Sequence, residues 1–271
     1  MDEFSRTLID RSGYELEGFA EVYDRWRPSP PDVLLDALMR MSATERPDLV
    51  VDLGAGTGLS TRAWASRALE VVGVEANAAM AEQARVATTA SNVRYIEAYA
   101  SATGLADGSV DIVTCSQAFH WMEPGPVLAE AGRILRAGGV FAAYDYEVPG
   151  VIEPEVDAAF AEHFEARRVA RERLGLDAGA ASWPKDSHVR RIRESGHFRF
   201  AREFVCHGLE EADARRIIGL AESIGGPREL FGGDAPEVTE TFERLRETAL
   251  RVLGEAPRPL LLGYHVRVGV K

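Results

Sequence analysis

The segment 50–61 constrains the fold of this chain more than any other part of the sequence. A short β-branched apolar run ends at Asp52, and glycines follow at Gly54, Gly56 and Gly58, before residues that can begin a helix. Alternating glycines let the backbone turn sharply and bring its N–H groups close to a ligand. The segment therefore predicts a strand, a tight ligand-facing loop and then a helix.

An acidic residue stands at the end of the next predicted strand. The apolar run 71–74 leads into Glu75, seventeen residues after Gly58. An acid at this place in a nucleotide-binding βαβ unit accepts the ribose hydroxyls. The glycine loop and Glu75 together predict a site for a nucleoside-containing cofactor at the carboxyl end of a parallel sheet. The alternative for Glu75 is helix capping, and the alternative for Asp52 is a structural role in the loop.

The spacing of the glycines discriminates between cofactors. The dinucleotide fingerprint is G-x-G-x-x-G, with a diphosphate at the helix N-terminus. Here the third glycine comes one residue early, and Leu59 holds the position that the fingerprint reserves for glycine. The spacing disfavours a nicotinamide dinucleotide and favours a cofactor without a diphosphate.

Composition indicates an ordinary globular protein with an acidic surface. The 271 residues are 46% hydrophobic and 27% charged, with a formal net charge of −12, so the chain can bury a sizeable core. Negative charge repels phosphate backbones, which argues against a nucleic-acid partner. The two cysteines, the N-terminal sequence and the lack of long apolar runs predict no disulfide framework, signal peptide or membrane span. We expect a cytoplasmic protein that acts on a small molecule, and its oligomeric state stays open.

Strand and helix patterns alternate through the first half of the chain. Residues 29–32 read as a helix start with a capping hydroxyl and proline in the first turn. Helix patterns follow at about 58–67, from 77, and at 126–135, the last closing at Gly138-Gly139. The predicted strands are 49–53, 71–75, 93–96, 110–115 and 140–144, with a sixth at 198–206 and a last at 262–270. Short buried strands separated by helices imply βαβ units and a parallel sheet.

The pattern changes after residue 150. A long charged helix over 153–174 is followed by helical patterns at about 209–223 and 235–253. We expect one domain over 1–271, with a cofactor-binding core at about 30–147 and substrate-shaping insertions at about 150–195 and 208–256 that cover the site as a lid.

Several segments together resemble class I S-adenosylmethionine (SAM)-dependent methyltransferases of the small-molecule type, in particular the ubiquinone/menaquinone-biosynthesis and trans-aconitate group. The matching segments are 23–28, the glycine loop 52–58, 106–113, 116–121 and 133–139, with the terminal strand. The resemblance covers roughly residues 20–145 and the last ten. It implies a doubly wound, mostly parallel seven-stranded Rossmann-like α/β sheet with an antiparallel last strand, and SAM as cofactor.

The resemblance also implies roles for single residues at the methionyl and ribose end of the cofactor. Gly54, Ala55 and Gly56 would line the methionyl side, Asp52 would orient its ammonium group, and Glu75 would hold the ribose hydroxyls. Ser116 and Gln117 would lie near the methionyl group. Arg27 could pair with the cofactor carboxylate, with a solvated arginine as the alternative.

The adenine end is less well matched. Ala76 or Met80 would touch the adenine, and Ala100 and Ser101 would meet its edge. Tyr99 stands where the family often has an aspartate that accepts the adenine amino group. Tyr99 could stack or hydrogen-bond instead, or Ser101 could compensate.

His120 is the candidate catalytic residue. It follows the fourth strand, and its ordinary pKa of about 6.5 suits a general base near neutral pH. The alternative is that His120 and Trp121 are packing residues at the start of a helix, while Phe119 and Trp121 could shape the pocket or contact a sulfonium by a cation–π interaction. Further candidates to face a substrate are Tyr14, Tyr23, Asp145, Tyr146, Trp183 and His188.

The expected reaction is a direct displacement at a sulfonium carbon. The leaving group is already activated by its charge, so the protein mainly aligns the reacting atoms, and no metal site is expected. The alternatives are a SAM-binding protein of the same fold that transfers no methyl group, such as a cyclase or a binding protein, and, less favoured, a nicotinamide oxidoreductase.

Overall fold

The computed structural model describes residues 18–176, 182–224, 230 and 233–271. The strands are β1 (Leu49–Leu53), β2 (Glu70–Glu75), β3 (Val93–Glu97), β4 (Val110–Ser116), β5 (Leu135–Tyr146), β6 (Phe200–Ala212) and β7 (Arg258–Val270). The helices are α1 (Phe19–Trp26), α2 (Asp32–Met41), α3 (Leu59–Ala63), α4 (Ala78–Ala87), α5 (Pro124–Ile134), α6 (Pro154–Arg173), α7 (His188–Glu194), α8 (Ala214–Glu222) and α9 (Pro236–Val252). Short 3₁₀ helices cover Phe119–Trp121 and Lys185–Ser187.

The seven strands form one sheet in the order β3-β2-β1-β4-β5-β7-β6. The pairs among β3, β2, β1, β4 and β5 are parallel, whereas β7 runs antiparallel to β5. The predicted Rossmann-like sheet with an antiparallel last strand is confirmed. Because the first five strands are parallel, their carboxyl ends meet at one edge, where the glycine loop and Glu75 lie.

The chain divides into two compact units. The sheet unit comprises Pro28–Tyr146, Ser182–Gly208 and Gly263–Lys271, and the helical unit comprises Met1–Arg27, Glu147–Ala181 and Leu209–Leu262. The predicted insertions at 150–195 and 208–256 overlap the helical unit. The single-domain prediction and the covering role of the insertions stay predictions.

Both faces of the central strands are buried. On one face, Val51, Leu53, Val72 and Phe141 belong to an apolar cluster with residues of α5. On the other face, the fully buried side chains include Val50, Val71, Ile112 and Val140. Strands buried on both faces read as continuous apolar runs, and this is why β1, β2 and β4 were evident in the sequence. The core of the helical unit includes a smaller cluster of Ala170, Leu230, Ala235 and Val238.

The boundaries around β5 were predicted wrongly. The helix spans Pro124–Ile134 instead of 126–135, and Leu135 already begins the strand. Gly138 and Gly139 therefore lie inside β5 instead of stopping a helix. A Cβ at Gly139 would lie 3.0 Å from the Asp111 carbonyl oxygen, next to a register irregularity between β4 and β5. The glycine permits close backbone approach at that irregularity.

Tertiary contacts and local caps explain the other differences. Helix α1 lies in a region without a predicted helix, and Trp26 packs where a Cβ on Gly219 of α8 would be, both in the helical unit. Strand β6 continues to Ala212, past the predicted end at 206, and α8 begins only after Asp213, whose carboxylate accepts from the Arg216 N–H. Helix α2 begins at Asp32 with Pro31 as N-cap, so no Ser29 hydroxyl caps it.

Candidate functional site

The glycine loop turns in the left-handed region of backbone space. Gly54, Gly56 and Gly58 have φ values of 69°, 57° and 85°, which side chains with a Cβ rarely adopt. The N–H groups of Gly54 and Ala55 both donate to the Val74 carbonyl oxygen of β2, at 2.8 and 3.0 Å. The loop is therefore tied to the end of the neighbouring strand.

Only one of these glycines faces open space. A Cβ on Gly56 would meet no atom within 4 Å, whereas a Cβ on Gly54 would lie 2.5 Å from Met122 Cε and 2.7 Å from Ala118 Cβ. Gly54 was predicted to line the cofactor, and the structure shows it packed against the turn that follows β4. Ala55 is buried, with 8% of its surface exposed.

Tyr95 is a neighbour of the loop that the sequence did not reveal. Its ring occupies the space beside Gly58 and Gly73, where a Cβ on Gly73 would lie 2.6 Å from Tyr95 Cε1. Its hydroxyl is 2.9 Å from Thr88 Oγ1. Tyr95 lies on β3, so only the strand pairing brings it to residues of the preceding βα unit.

The carboxylate of Asp52 is fully buried under the loop. Its Oδ2 accepts from the Thr61 hydroxyl at 2.8 Å and its Oδ1 from the Thr114 hydroxyl at 2.7 Å. Burial raises the pKa of Asp52 against the opposing effect of these hydrogen bonds. These contacts connect β1, α3 and β4 and support the structural alternative for Asp52. Orientation of an ammonium group by Asp52 stays a prediction.

Glu75 links the loop to the start of α4. Its Oε2 accepts from the Gly56 N–H and its Oε1 from the Asn77 N–H, both at 2.8 Å. Burial raises the pKa of Glu75, and backbone hydrogen bonds from Asn77, Gly56 and Ala76 partly offset that rise. Each carboxylate oxygen has roughly two acceptor sites, so the carboxylate keeps capacity for a further donor. Asn77 is the N-cap of α4, and its side chain accepts from the Met80 N–H.

The predicted adenine contacts lie around the carboxyl ends of β2 and β3. Ala76 and Ser101 are exposed and Ala100 is half-buried, whereas Met80 is 3% exposed. Tyr99 accepts a backbone hydrogen bond from the Ala102 N–H at 2.9 Å. Met80 packs in the core, and the adenine roles of all five residues stay predictions.

Gln117 is held in an unusual backbone conformation directly after Ser116, the last residue of β4. Its φ of 50° is rare for a residue with a side chain. The Gln117 N–H donates to the Tyr144 carbonyl oxygen at 2.9 Å, and Nε2 donates to that of Tyr146 at 3.0 Å. Such strain persists where the surroundings over-determine it, and it clusters at functional sites.

His120 is buried in the 3₁₀ helix after Gln117, with 8% of its surface exposed. Its ring lies 4.6 Å from that of Trp121, and its carbonyl oxygen accepts from the Trp183 N–H at 2.7 Å. Burial, followed by the positive charges of Lys185 and Arg267, lowers the pKa of His120 to about 3. The expectation of an ordinary pKa near 6.5 is therefore wrong, and the imidazole is neutral at physiological pH.

A group of charged side chains surrounds His120. Asp145 Oδ1 lies 3.5 Å from His120 Nδ1 and 2.7 Å from Lys185 Nζ, and Asp145 Oδ2 accepts from Arg267 Nη1 at 2.8 Å. Lys185 also donates to Gln117 Oε1 at 3.2 Å. Asp145 was a candidate from sequence, but Lys185 and Arg267 were not, because no local motif marks them.

Other candidate residues lie elsewhere. Arg27 belongs to the helical unit, where its Nη2 donates to the Ser223 carbonyl oxygen at 3.0 Å and its guanidinium lies 4.9 Å from the Tyr23 ring. Its pairing with a cofactor carboxylate stays a prediction. His188 is buried against the Phe119 ring at 4.7 Å. Tyr14 lies outside the described residues.

Comparisons with known proteins agree with this geometry. Residues 51–143 match the family model described as a methyltransferase domain. An uncharacterized methyltransferase of Mycobacterium tuberculosis is 38% identical over 118 residues, covering 44% of this chain and 46% of that protein. A probable S-adenosylmethionine-dependent methyltransferase of Saccharomyces cerevisiae is 30% identical over 136 residues, covering 48% and 46%. The chain thus matches about half the length of these curated relatives.

The fold of solved structures is also similar. A type II methyltransferase candidate from Anaeromyxobacter dehalogenans superimposes with a TM-score of 0.61 at 25% identity, covering 90% of this chain and 97% of that one. The YcgJ protein of Bacillus subtilis gives a TM-score of 0.53 at 20% identity, covering 88% and 97%. The described residues have the Rossmann-like fold of these solved methyltransferases. Residues 51–143 match a methyltransferase domain, and the resemblance to one subgroup stays a prediction.

None of the helices in the described part of the chain is long and apolar enough to cross a membrane.

Proposed function

We propose that this protein binds SAM and transfers its methyl group to a small-molecule acceptor by direct displacement. The observation that carries the proposal is the Glu75 carboxylate, which accepts from the Gly56 N–H at 2.8 Å beside a glycine that faces open space. Recognition of a nucleoside uses an acidic residue for the ribose hydroxyls and a glycine that lets the backbone come close to the ligand, both at the ends of adjacent parallel strands.

The groups around the glycine loop fit an adenosyl cofactor without a diphosphate. Glu75 would hold the ribose hydroxyls through the acceptor capacity that its two backbone contacts leave. Ala55, Gly56, Ser116 and Gln117 would line the methionyl side. The Gly54 N–H is already bonded to the Val74 carbonyl oxygen, so it is not free to contact a phosphate.

When bound, SAM supplies a methyl group on a positively charged sulfur, which is a good leaving group. The residues of the chain then mainly hold and align the reactants, and such positioning contributes on the order of 7–11 kcal/mol to a two-reactant step. The contact of Met122 with Gly54 places the turn after β4 against the loop, so this turn can exclude water from the reacting atoms.

A small-molecule acceptor is supported by the net charge of −12, which opposes binding of a polyanionic nucleic acid. The same charge opposes binding to an anionic membrane surface. A non-methylating protein of the same fold, such as a cyclase, uses identical cofactor contacts and differs only in its product.

Calorimetry with SAM, its demethylated product and NAD(H) tests the cofactor. We expect binding of the first two and none of the third, and a folded protein that binds neither adenosyl compound contradicts the proposal. A gain of one methyl group in the mass of an acceptor supports transfer. A rearranged product with intact SAM identifies the cyclase instead.

A further inference from the structure

His120 is fixed to the glycine loop by its neighbours in the sequence. A Cβ on Gly54 would overlap side-chain atoms of Ala118 and Met122. These two residues flank the 3₁₀ helix Phe119–Trp121, which contains His120. The backbone N–H of Trp183 also donates to the His120 carbonyl oxygen, at 2.7 Å. The imidazole is therefore held close to the place where the proposed cofactor and its acceptor meet.

The Nδ1 atom of His120 is buried and has no hydrogen-bond partner among the described residues. A buried polar atom without a partner is costly, and native structures rarely leave one without a reason. This nitrogen lies 3.5 Å from Asp145 Oδ1. The two atoms are not hydrogen-bonded at this distance, but the negative charge of Asp145 favours a proton on this nitrogen, which would leave the lone pair of the ring on Nε2.

Asp145 is held in place by two cations from different elements. Arg267 of β7, itself 6% exposed, donates to Oδ2, and Lys185 of the second 3₁₀ helix lies 2.7 Å from Oδ1. On the far side, Arg267 Nη2 lies 3.4 Å from Glu203 Oε1, which in turn lies 3.3 Å from His265 Nδ1. This chain of charges crosses β5, β7 and β6 and fixes the carboxylate beside the imidazole.

We propose that the acceptor is a hydroxyl compound whose proton is taken by His120 Nε2, with Asp145 as the positioning residue that keeps the other ring proton on Nδ1. This rests on the proposed function. In the transfer the acceptor oxygen bonds to the methyl carbon, and the carbon–sulfur bond breaks with its electron pair on sulfur. The hydroxyl proton moves to Nε2, and the imidazolium that forms faces the Asp145 carboxylate.

The weak basicity of His120 suits this order of events. Its pKa of about 3 keeps the lone pair of Nε2 available at neutral pH. A free alcohol does not give up its proton to so weak a base, but the oxygen becomes strongly acidic once it bonds to the methyl carbon. The proton therefore moves to Nε2 as the bond to the methyl carbon forms, so the base acts in the displacement step itself. An amine acceptor needs no such base, because its methylated product can keep the proton.

The placement of the proton is tested without turnover. In the complex with the demethylated product of SAM, ¹⁵N NMR of the His120 imidazole should show Nδ1 protonated and Nε2 unprotonated from about pH 5 to about pH 8. Asp145→Asn should increase the Nε2-protonated tautomer. An Nε2-protonated ring in the unsubstituted protein, or protonation of both nitrogens near pH 6.5, would overturn the inference.

The acceptor class is tested with matched probes and methyl-labelled SAM. The hydroxyl probes are catechol, para-hydroxybenzoate and naphthol, and the amine probes are ortho-phenylenediamine, para-aminobenzoate and naphthylamine. We expect transfer to hydroxyl probes that falls roughly 100-fold or more in His120→Gln, while calorimetric binding of the demethylated product is retained. Transfer to hydroxyl probes by Asp145→Asn should fall at least about tenfold. His207 is an exposed histidine of β6, and His207→Gln should transfer at the unsubstituted rate.

The outcomes separate this inference from the proposed function. Transfer only to the amines, transfer to no hydroxyl probe, or full turnover by His120→Gln overturns the hydroxyl assignment while SAM binding still stands. Loss of binding of both adenosyl compounds in the unsubstituted protein removes the proposed function itself.

Discussion

Replacement of Glu75 by alanine tests the contact on which the proposed function depends. The variant loses two hydrogen bonds of 2.8 Å between a carboxylate and backbone N–H groups. Hydrogen bonds to charged groups contribute about 1.5–3 kcal/mol each, but the raised pKa of Glu75 shows that burial opposes its charge. We therefore expect the free energy of unfolding to fall by about 1.5–3 kcal/mol in total, which lowers Tm by roughly 3–12 °C.

The loss of cofactor affinity is estimated from the same chemistry. The two hydroxyls of a ribose bound to one carboxylate make two charge-assisted hydrogen bonds. At about 1.5 kcal/mol each, the lower value for hydrogen bonds to charged groups, their loss costs about 3 kcal/mol of binding free energy. Since 1.4 kcal/mol corresponds to a factor of ten, Kd for SAM and for its demethylated product should rise about 100-fold. Titration calorimetry measures the Kd, and urea unfolding without ligand measures the stability.

Glu97 offers a matched control. It pairs in register with Glu75 at the carboxyl end of β3, but its side chain is 50% exposed and bound to Arg85 at 2.7 Å. Because exposed ion pairs contribute about 0–1 kcal/mol, Glu97→Ala should leave affinity unchanged and stability nearly so. If Glu75→Ala behaves like Glu97→Ala in both measurements, the reasoning about Glu75 is refuted. Glu75→Gln, which keeps one acceptor, should fall between the two.

Three further predictions concern the loop and the buried histidines. Asp52→Asn separates the two roles of this residue: an unchanged Kd for SAM supports the structural role, and a raised Kd supports orientation of the ammonium group. Because the native pKa of Asp52 is raised above its ordinary value, the unsubstituted protein loses stability as pH rises through that raised pKa. Urea unfolding should show a smaller loss in the variant, because Glu75, whose pKa is also raised, still contributes. Gly73→Ala should destabilise the folded protein by about 1–3 kcal/mol, because the added Cβ overlaps Tyr95. Gly125→Ala in α5 is the control, since a Cβ there meets no atom within 4 Å. Equal urea midpoints for the two variants would contradict this reasoning. Three buried histidines have lowered pKa values, about 3 for His120 and about 4 for His163 and His188. As pH drops below 6.5 they bind protons in the unfolded chain but not in the folded one. The free energy of unfolding should therefore fall by up to about 1.4 kcal/mol per pH unit per histidine. His163→Gln should reduce this slope, and an unchanged slope in that variant would contradict the reasoning.

Much of the fold could be predicted because its signals are local. The doubly buried strands β1, β2 and β4 are continuous apolar runs in the sequence, and Asn77 caps α4 where the pattern indicated a helix start. Where a tertiary contact decides, the sequence pattern failed. Helix α1, whose Trp26 packs on α8, had no predicted helix, and Gly139, predicted to stop a helix, permits a close approach inside β5.

The candidate site divides in the same way. The pairing of Gly56 with Glu75 was foreseeable, because one βα unit separates them and parallel strands end at the same edge. The burial of Asp52 between Thr61 and Thr114, and the position of Tyr95 beside Gly58, depend on strands that lie next to each other in space. No spacing rule in one sequence reports such neighbours.

The sequence by itself determined the strand–loop–strand unit that ends in Glu75, since its residues are close along the chain and obey local backbone and patterning rules. Only the tertiary structure decided the surroundings of His120. Lys185 and Arg267 are distant in sequence. The pairing of β5 with β7 brings Arg267 to Asp145, and the 3₁₀ helix Lys185–Ser187 brings Lys185 to the same carboxylate. Burial among those charges then lowers the pKa of His120 far below its ordinary value, because desolvation and nearby cations both disfavour the protonated ring.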